Sequence, residues 1–192
     1  MIINNEEDII SSIGEDKWMM GLLKCAQSLN LPDWWICAGF VRSKIWDVQH
    51  GFDERTTIPD IDVIYYDRIN IEKSVEKEYE EALKRLLPTI PWSVKNQARM
   101  HSINKISPYS SSVDAISKFP ETATALGVKL DGRDNVILTA PHGIDDVVNF
   151  IVKPTPYFCE QKEQMKIYKE RIRKKNWQVL WNKIEIISAQ RN

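Results

Sequence analysis

The sequence predicts an α/β fold. Three observations lead there. Short apolar runs at 34–39, 60–66 and 92–97 read as strands, amphipathic stretches precede or separate them, and Gly or Pro stands at several of the junctions. In order, the first hundred residues alternate helix and strand three times, the pattern of an α/β core.

Residues 6–29 read as one helix, with Ile9, Ile10, Ile13, Met19, Leu22, Leu23 and Leu29 on its apolar face and Asn30 and Pro32 at its end. "WWICAG" (34–39) is a short apolar run consistent with a buried strand that stops at Gly39. "FVRSKIWDV" (40–48) reads as a helix launched from that glycine. "QHGFDERTTIP" is a polar loop leading to the strand Asp60–Tyr66. Residues 71–87 place Ile71, Val75, Tyr79, Leu83 and Leu86 on one helical face, and Pro88 and Pro91 end it. "WSVKNQ" (92–97) is the third strand.

The second half is less regular. Ser111 suits the cap of a short helix to Lys118, and a second helix is expected between Pro120 and Gly127. "VKLDGRDNVILT" (128–139) reads as a hairpin about Asp131-Gly132. "PHGIDDVVNFIV" suggests a turn, a short helix and a strand. Residues 159–175 read as helical and basic, ahead of Trp177 and Trp181.

Size and composition narrow the function classes. The chain has 192 residues, 43% hydrophobic and 28% charged, with a net charge of −1. That suits one globular domain, divided at most into a core over 1–105 and a packed extension over 106–192. A balanced charge advertises neither nucleic acid nor membrane as a whole-protein partner. Three cysteines (Cys25, Cys37, Cys159) at wide spacings fit neither a disulfide framework nor a zinc site. The N-terminus lacks the features of a signal peptide, and no apolar run approaches a membrane span. A cytoplasmic, reducing setting is expected.

The chemistry starts at "DIDVIYYD" (60–67). Side chains at i and i+2 of a strand share a face, so Asp60 and Asp62 project together while Ile61 and Val63 turn to the core. Two carboxylates about 7 Å apart repel by roughly 2 kcal/mol at an effective dielectric near 20. A divalent cation removes that cost, and Mg²⁺ (or Mn²⁺) suits it, held by one or two carboxylates with water and phosphate oxygens completing its shell. The plain alternative is a solvated rim, with one aspartate bonding turn amides after Pro59. The preceding element favours the metal. "CAGFVRSKIWD" is a strand, a glycine and a helix with Arg42 and Lys44 in its first turns. A helix N-terminus offers free N–H groups to phosphate, and Arg42 offers a bidentate contact.

Strand–Gly–helix followed by a strand opening with Asp-x-Asp resembles the DNA polymerase β-type nucleotidyltransferase superfamily. More closely, "WWICAGFVRSKIWD", "DIDVIYYD", "VKNQARMH", "FPETATALGVKL" and "APHGIDDV" resemble a bacterial family of nucleotidyltransferase-like proteins of unassigned function, from about Trp34 to about Val152. The resemblance implies a mixed β-sheet flanked by helices, with a C-terminal extension. It implies a metal site on Asp60 and Asp62, a phosphate-contacting Gly39, and transfer of a nucleoside monophosphate from a nucleoside triphosphate to a hydroxyl. Two departures stand out. Phe40 occupies the place of a small residue after the glycine. No third carboxylate appears on the next strand, where Lys95, Asn96 and Gln97 stand; Asn96 offers a carbonyl oxygen but cannot accept a proton as a carboxylate does.

The resemblance also draws attention to Asn96, Arg99 and His101 as a group, so the candidate site comprises Asp60, Asp62, Asn96, Gly39, Phe40, Arg42, Arg99 and His101. Asp67, Asp114, Asp145, Asp146 and His142 are candidates for the missing group, although Asp114 suits a capping box and Asp145 and Asp146 suit a helix start. Thr122 and Thr124 are possible donors to sugar or phosphate. Residues 162–175 carry seven basic side chains against two acidic ones, with Met165, Tyr168 and Ile172 as an apolar stripe. That helix is either a solvated face or a surface for triphosphate or a polyanion such as RNA. The expected function is metal-dependent nucleotidyl transfer to an unknown acceptor: small molecule, protein or RNA. The alternatives are a non-catalytic nucleotide- or metal-binding protein on the same fold, and an RNA-binding module using the basic helix.

Overall fold

The computed structural model describes residues 2–104 and 106–187. Five strands form one sheet: β1 (Trp35–Cys37), β2 (Ile61–Tyr65), β3 (Trp92–Asn96), β4 (Gly127–Leu130) and β5 (Val136–Thr139), in the order β3-β2-β1-β4-β5. β2 and β3 run parallel, joined through helix α4 (Lys73–Leu86), because a parallel pair needs a crossover. The other three pairs are antiparallel. This is the mixed sheet flanked by helices that the resemblance implies. Strands from both sides of residue 105 share it, since β4 adds to β1 directly.

Alternation along the strands sorts the two faces. Ile36, Ile61, Val63, Tyr65, Val94 and Val128 join the main core with α1 (Glu6–Gly14), α2 (Lys17–Ser28), α3 (Gly39–His50) and the buried Trp46, Trp177 and Trp181. Trp35, Cys37 and Ile64 face the other way, into a small cluster with Ile116 of α6 (Ser112–Ser117) and Ala125. Asp62 lies between Ile61 and Val63 and so belongs to this second face. The approach is tight there: a Cβ on Gly127 would stand 3.1 Å from both Cys37 Sγ and Ile116 Cδ1.

The C-terminal segment is built into the core. The Trp46 indole donates to Val147 O at 2.9 Å. The Trp181 indole donates to Asp47 Oδ1 at 2.8 Å, while Asp47 Oδ2 accepts from the N–H and hydroxyl of Thr56. One buried carboxylate thus ties α3, the 51–59 loop and the chain end together. A two-stranded parallel sheet, β6 (Ile151–Val152) with β7 (Glu185–Ile186), closes this side. Among the described residues, no helix is long and apolar enough to cross a membrane.

Several elements differ from the sequence expectation. The helix expected over 6–29 is two, because Asp16 caps a new start. Its carboxylate accepts from Met19 N–H and pairs with Lys44 and Arg55. A helix α5 (Gln97–Asn104) follows β3 with no intervening turn residue. Between Pro120 and Gly127 there is only a 3₁₀ turn, Thr122–Thr124. There Thr122 N–H bonds to Lys153 O and Glu121 bridges Pro154, so pairing with a neighbouring segment overrides helix formation. The helix expected over 159–175 is also two, α8 (Pro156–Glu160) and α9 (Lys162–Lys175), on either side of an extended Gln161; earlier in the chain, α7 (Asp145–Val148) stands at the predicted short helix.

Candidate active site

In the β1–β2 register Cys37 stands opposite Asp62. The chain leaving β1 therefore turns at the sheet end where β2 begins, and Gly39 and Asp60 are brought to one place. The turn is strained: Ala38 has φ 55° and ψ −113°, a region L residues rarely occupy. Val41 and Arg42 N–H both bond to Ala38 O. The amides of Gly39 and Phe40 find no acceptor among the described residues, and no side chain caps the helix. The α3 N-terminus is thus free to receive an anion. The Phe40 side chain does not obstruct it. Its ring is fully buried in the core, 6.1 Å from that of Trp18, so only its backbone is presented at the helix start.

Asp60 is exposed, one residue ahead of β2, and Asp62 is partly buried on the second sheet face. Burial, and then the charge of Asp60, raise the Asp62 carboxyl above its ordinary value; Ser93 across the strand pair, Arg171 and Lys175 oppose the rise. Among the described residues neither aspartate lies in an ion pair. Two neighbouring hard carboxylates, one of them desolvated, with no direct cation, are a donor set that fits Mg²⁺ or Mn²⁺. No three His, Cys, Asp or Glu side chains among the described residues cluster as a closed metal site needs. The fit is therefore to an open site that a substrate completes.

Arg42 lies behind this corner. It is 7% exposed, with its guanidinium carbon 4.4 Å from the Trp177 ring centre and 5.0 Å from that of Trp46. Its Nε has no hydrogen-bond partner and no carboxylate pairs with it among the described residues. Burial pulls its pKa down to about 10, against the pull of Glu121, Asp60 and Asp62 in the other direction. Indole faces contribute about 0.5–2 kcal/mol each, less than an unpaired buried cation costs. Arg42 Nη2 also lies near Gly39: a Cβ built there would be 3.6 Å from it.

Two residues of this corner carry no recognisable sequence signal. Glu121 is fully buried; its Oε1 accepts from Arg171 Nε at 2.6 Å and its Oε2 from the Thr124 hydroxyl at 2.7 Å. It anchors the basic helix α9 so that Arg171 and Lys175 act on Asp62. Ser93 is visible only once the β2–β3 register is known.

The remaining predicted residues are not brought to the acid pair. Asn96 pairs with Tyr65 at the far end of β2, on the core face of the sheet. Its side chain is spent: Oδ1 accepts from Asp67 and Ala98 N–H, and Nδ2 donates to the carbonyls of Asp67 and Asn70. It is a clip for the loop after β2 and holds no oxygen free for a metal. Asn96→Ala is accordingly expected to cost about 2–4 kcal/mol in denaturant unfolding. A variant that folds normally yet loses metal-dependent nucleotide binding would reverse that assignment. Arg99 is paired with buried Glu76 at 2.7 Å, away from the phosphate end. His101 bonds within its own helix, to Ala98 O and the Ser102 hydroxyl. Asp114 accepts from Ser110 N–H and pairs with Lys118, Asp67 closes its own turn, and His142 bonds to Ser117 O.

A cavity of about 520 Å³ opens beside Asp62, between the second sheet face, α5, residues 118–120 and α8–α9. A second hollow of about 300 Å³ runs along α9 between Ile167 and Lys175.

A sequence model of the family described as "Nucleotidyltransferase" matches residues 24–186. The chain belongs to this nucleotidyltransferase family. Among solved structures it is similar to one described as revealing a CCA-adding enzyme head domain, determined by NMR, at 36% identity and TM-score 0.86, over 97% of this chain and 98% of that one. It is also similar in fold to the Thermotoga maritima CCA-adding enzyme complexed with tRNA (16% identity, TM-score 0.56, 98% and 44% covered) and to a CCA-adding enzyme with ATP (15%, 0.52, 92% and 43%). The nucleotidyltransferase chain thus spans under half the length of those two enzymes. No curated protein matches the sequence.

Proposed function

We propose that this nucleotidyltransferase moves a nucleoside monophosphate from a nucleoside triphosphate to a hydroxyl acceptor in a divalent-metal-dependent reaction. The observation that carries the reading is the pair Asp60 and Asp62, in no ion pair among the described residues, beside the uncapped N-terminus of α3 and with Asp62 on the wall of a cavity. When bound, Mg²⁺ or Mn²⁺ would supply charge neutralisation between triphosphate and carboxylates. Asp60 and Asp62 would hold it. The Gly39 and Phe40 amides would receive phosphate oxygens, and the bare Cα of Gly39 would permit close approach. Arg171 and Lys175 would neutralise the phosphate tail from α9. Arg42 supplies a fixed positive charge behind them, held in place by indole rings so that it need not reorganise.

A binding-only reading has one observation in its favour. On β3 the residues sharing the Asp62 face are Ser93 and Lys95, so no carboxylate stands there to take the acceptor's proton. The experiment is incubation of the protein with α-labelled nucleoside triphosphates, Mg²⁺ and a cell extract. Mg²⁺-dependent label on an acceptor is the expected result. Tight nucleotide binding with no labelled acceptor would replace transfer by the binding-only reading.

A further inference from the structure

The strand register sets three features in a row. β1 is antiparallel to β2 with Cys37 opposite Asp62, so the α3 N-terminus lies beyond the Asp60 end of β2. In the opposite direction the same face continues through Ile64, and through Lys95 on β3, into the 520 Å³ cavity. Helix α9 spans the whole row: Gln164 and Ile167 line the cavity, while Arg171 and Lys175 act on Asp62. Displacement at phosphorus places the attacking and leaving oxygens roughly in line. With the leaving pyrophosphate at the α3 end, the nucleophile enters from the cavity.

We propose that this cavity seats the acceptor, and that the acceptor is a small aromatic alcohol rather than a polynucleotide. The inference rests on the nucleotidyl-transfer reading. Its volume lies in the range of small-molecule sites. Its walls are largely apolar and partly aromatic, with Ile64, Ile106, Phe119, Tyr157 and Phe158 among them. Among the described residues, the lysines that line it are already engaged, Lys95 with Glu80 and Lys118 with Asp114. A polynucleotide needs a row of free cations to neutralise its phosphates, and among the described residues the cavity lining offers none. Ile103 on α5 and Ile167 on α9, 56% and 51% exposed, stand at its mouth, where an apolar ligand would cover them. In the transfer the hydroxyl oxygen bonds to the α-phosphorus. The bond from that phosphorus to the bridging oxygen breaks, its electron pair leaves with pyrophosphate, and the hydroxyl proton passes to solvent.

The test uses the full chain and two cavity-filling variants at exposed positions, Ile103→Trp and Ile167→Trp. Calorimetric titrations employ a non-hydrolysable nucleoside triphosphate with Mg²⁺, N-acetyltyrosinamide, 2-naphthol and a short single-stranded RNA. The expected result is that at least one aromatic alcohol binds the wild type and is weakened about tenfold or more in both variants, with nucleotide affinity held within about twofold. The proposal is overturned if nucleotide affinity falls about tenfold in both variants, which makes the cavity a base seat. It is equally overturned if neither aromatic alcohol binds, or if RNA binding is what the variants lose. Absence of nucleotide binding by the wild type would instead sink the transfer reading, and this proposal with it.

Discussion

Asp62→Asn is expected to lower nucleotidyl transfer by about 10²–10³-fold, the usual scale for removing one preorganised electrostatic group. It should also abolish the effect of Mg²⁺ on nucleotide affinity. The same substitution is expected to leave the fold intact or raise its melting temperature slightly. Burial and Asp60 both disfavour the ionised Asp62 carboxyl in the folded protein. A carboxyl whose folded pKa is raised subtracts stability at pH values above its unfolded pKa, and a neutral amide removes that cost. Loss of function with gain of stability is the signature of a group kept for chemistry. Thermal unfolding and nucleotide titration of the one variant read both effects. An Asp62→Asn protein that is less stable, and binds nucleotide with Mg²⁺ as the wild type does, would make Asp62 a structural residue.

Glu121→Ala should be the most destabilising single change at this corner, by about 2–4 kcal/mol, because it leaves the partly buried Arg171 without its ion partner and removes a nearby negative charge from the buried Arg42. Glu121 is fully buried, salt-bridged to Arg171 and within electrostatic reach of Arg42. For a chain of this size the melting temperature would fall on the order of 10 °C. The released Arg171, whose charge already acts on Asp62, would be free to turn to it and compete with a metal ion there. Nucleotide affinity should therefore fall further in low Mg²⁺ than in high Mg²⁺. Glu121→Gln keeps the hydrogen bonds to Arg171 and Thr124 but not the charge, and should lie between the two. A Glu121→Ala protein as stable as the wild type would mean that α9 is not fastened through this pair.

The paired acids and the glycine were legible in the sequence because both follow from local rules. Asp60 and Asp62 share a face by strand alternation, and Gly39 marks the start of α3. What was not legible depends on tertiary register. Asn96, Arg99 and His101 fall in a segment next to the third strand, but parallel pairing of β2 and β3 sets Asn96 against Tyr65 and Ser93 against Asp62. Ser93 is thus the β3 residue beside the site, three positions before the one the sequence suggested. Phe40 read as bulk in a phosphate loop; the helical turn instead sends its ring to the core and leaves its N–H behind. Glu121 gave no warning, since an acid after a proline is ordinary in a turn until its burial and its Arg171 partner are seen. The basic run 162–175 was visible as charge, but only the docking of α9 divides it into residues that face the acids and residues that face solvent.

The most direct measurement is nucleoside triphosphate affinity, by calorimetry with a non-hydrolysable analogue, in the presence and absence of Mg²⁺, on the wild type and on Asp60→Asn/Asp62→Asn. Wild-type affinity is expected to rise about tenfold or more with Mg²⁺, and the double variant to bind equally with and without it. A wild type whose affinity ignores Mg²⁺ and Mn²⁺, or a double variant that responds as the wild type does, would contradict the claim that these two carboxylates share a metal ion with the substrate.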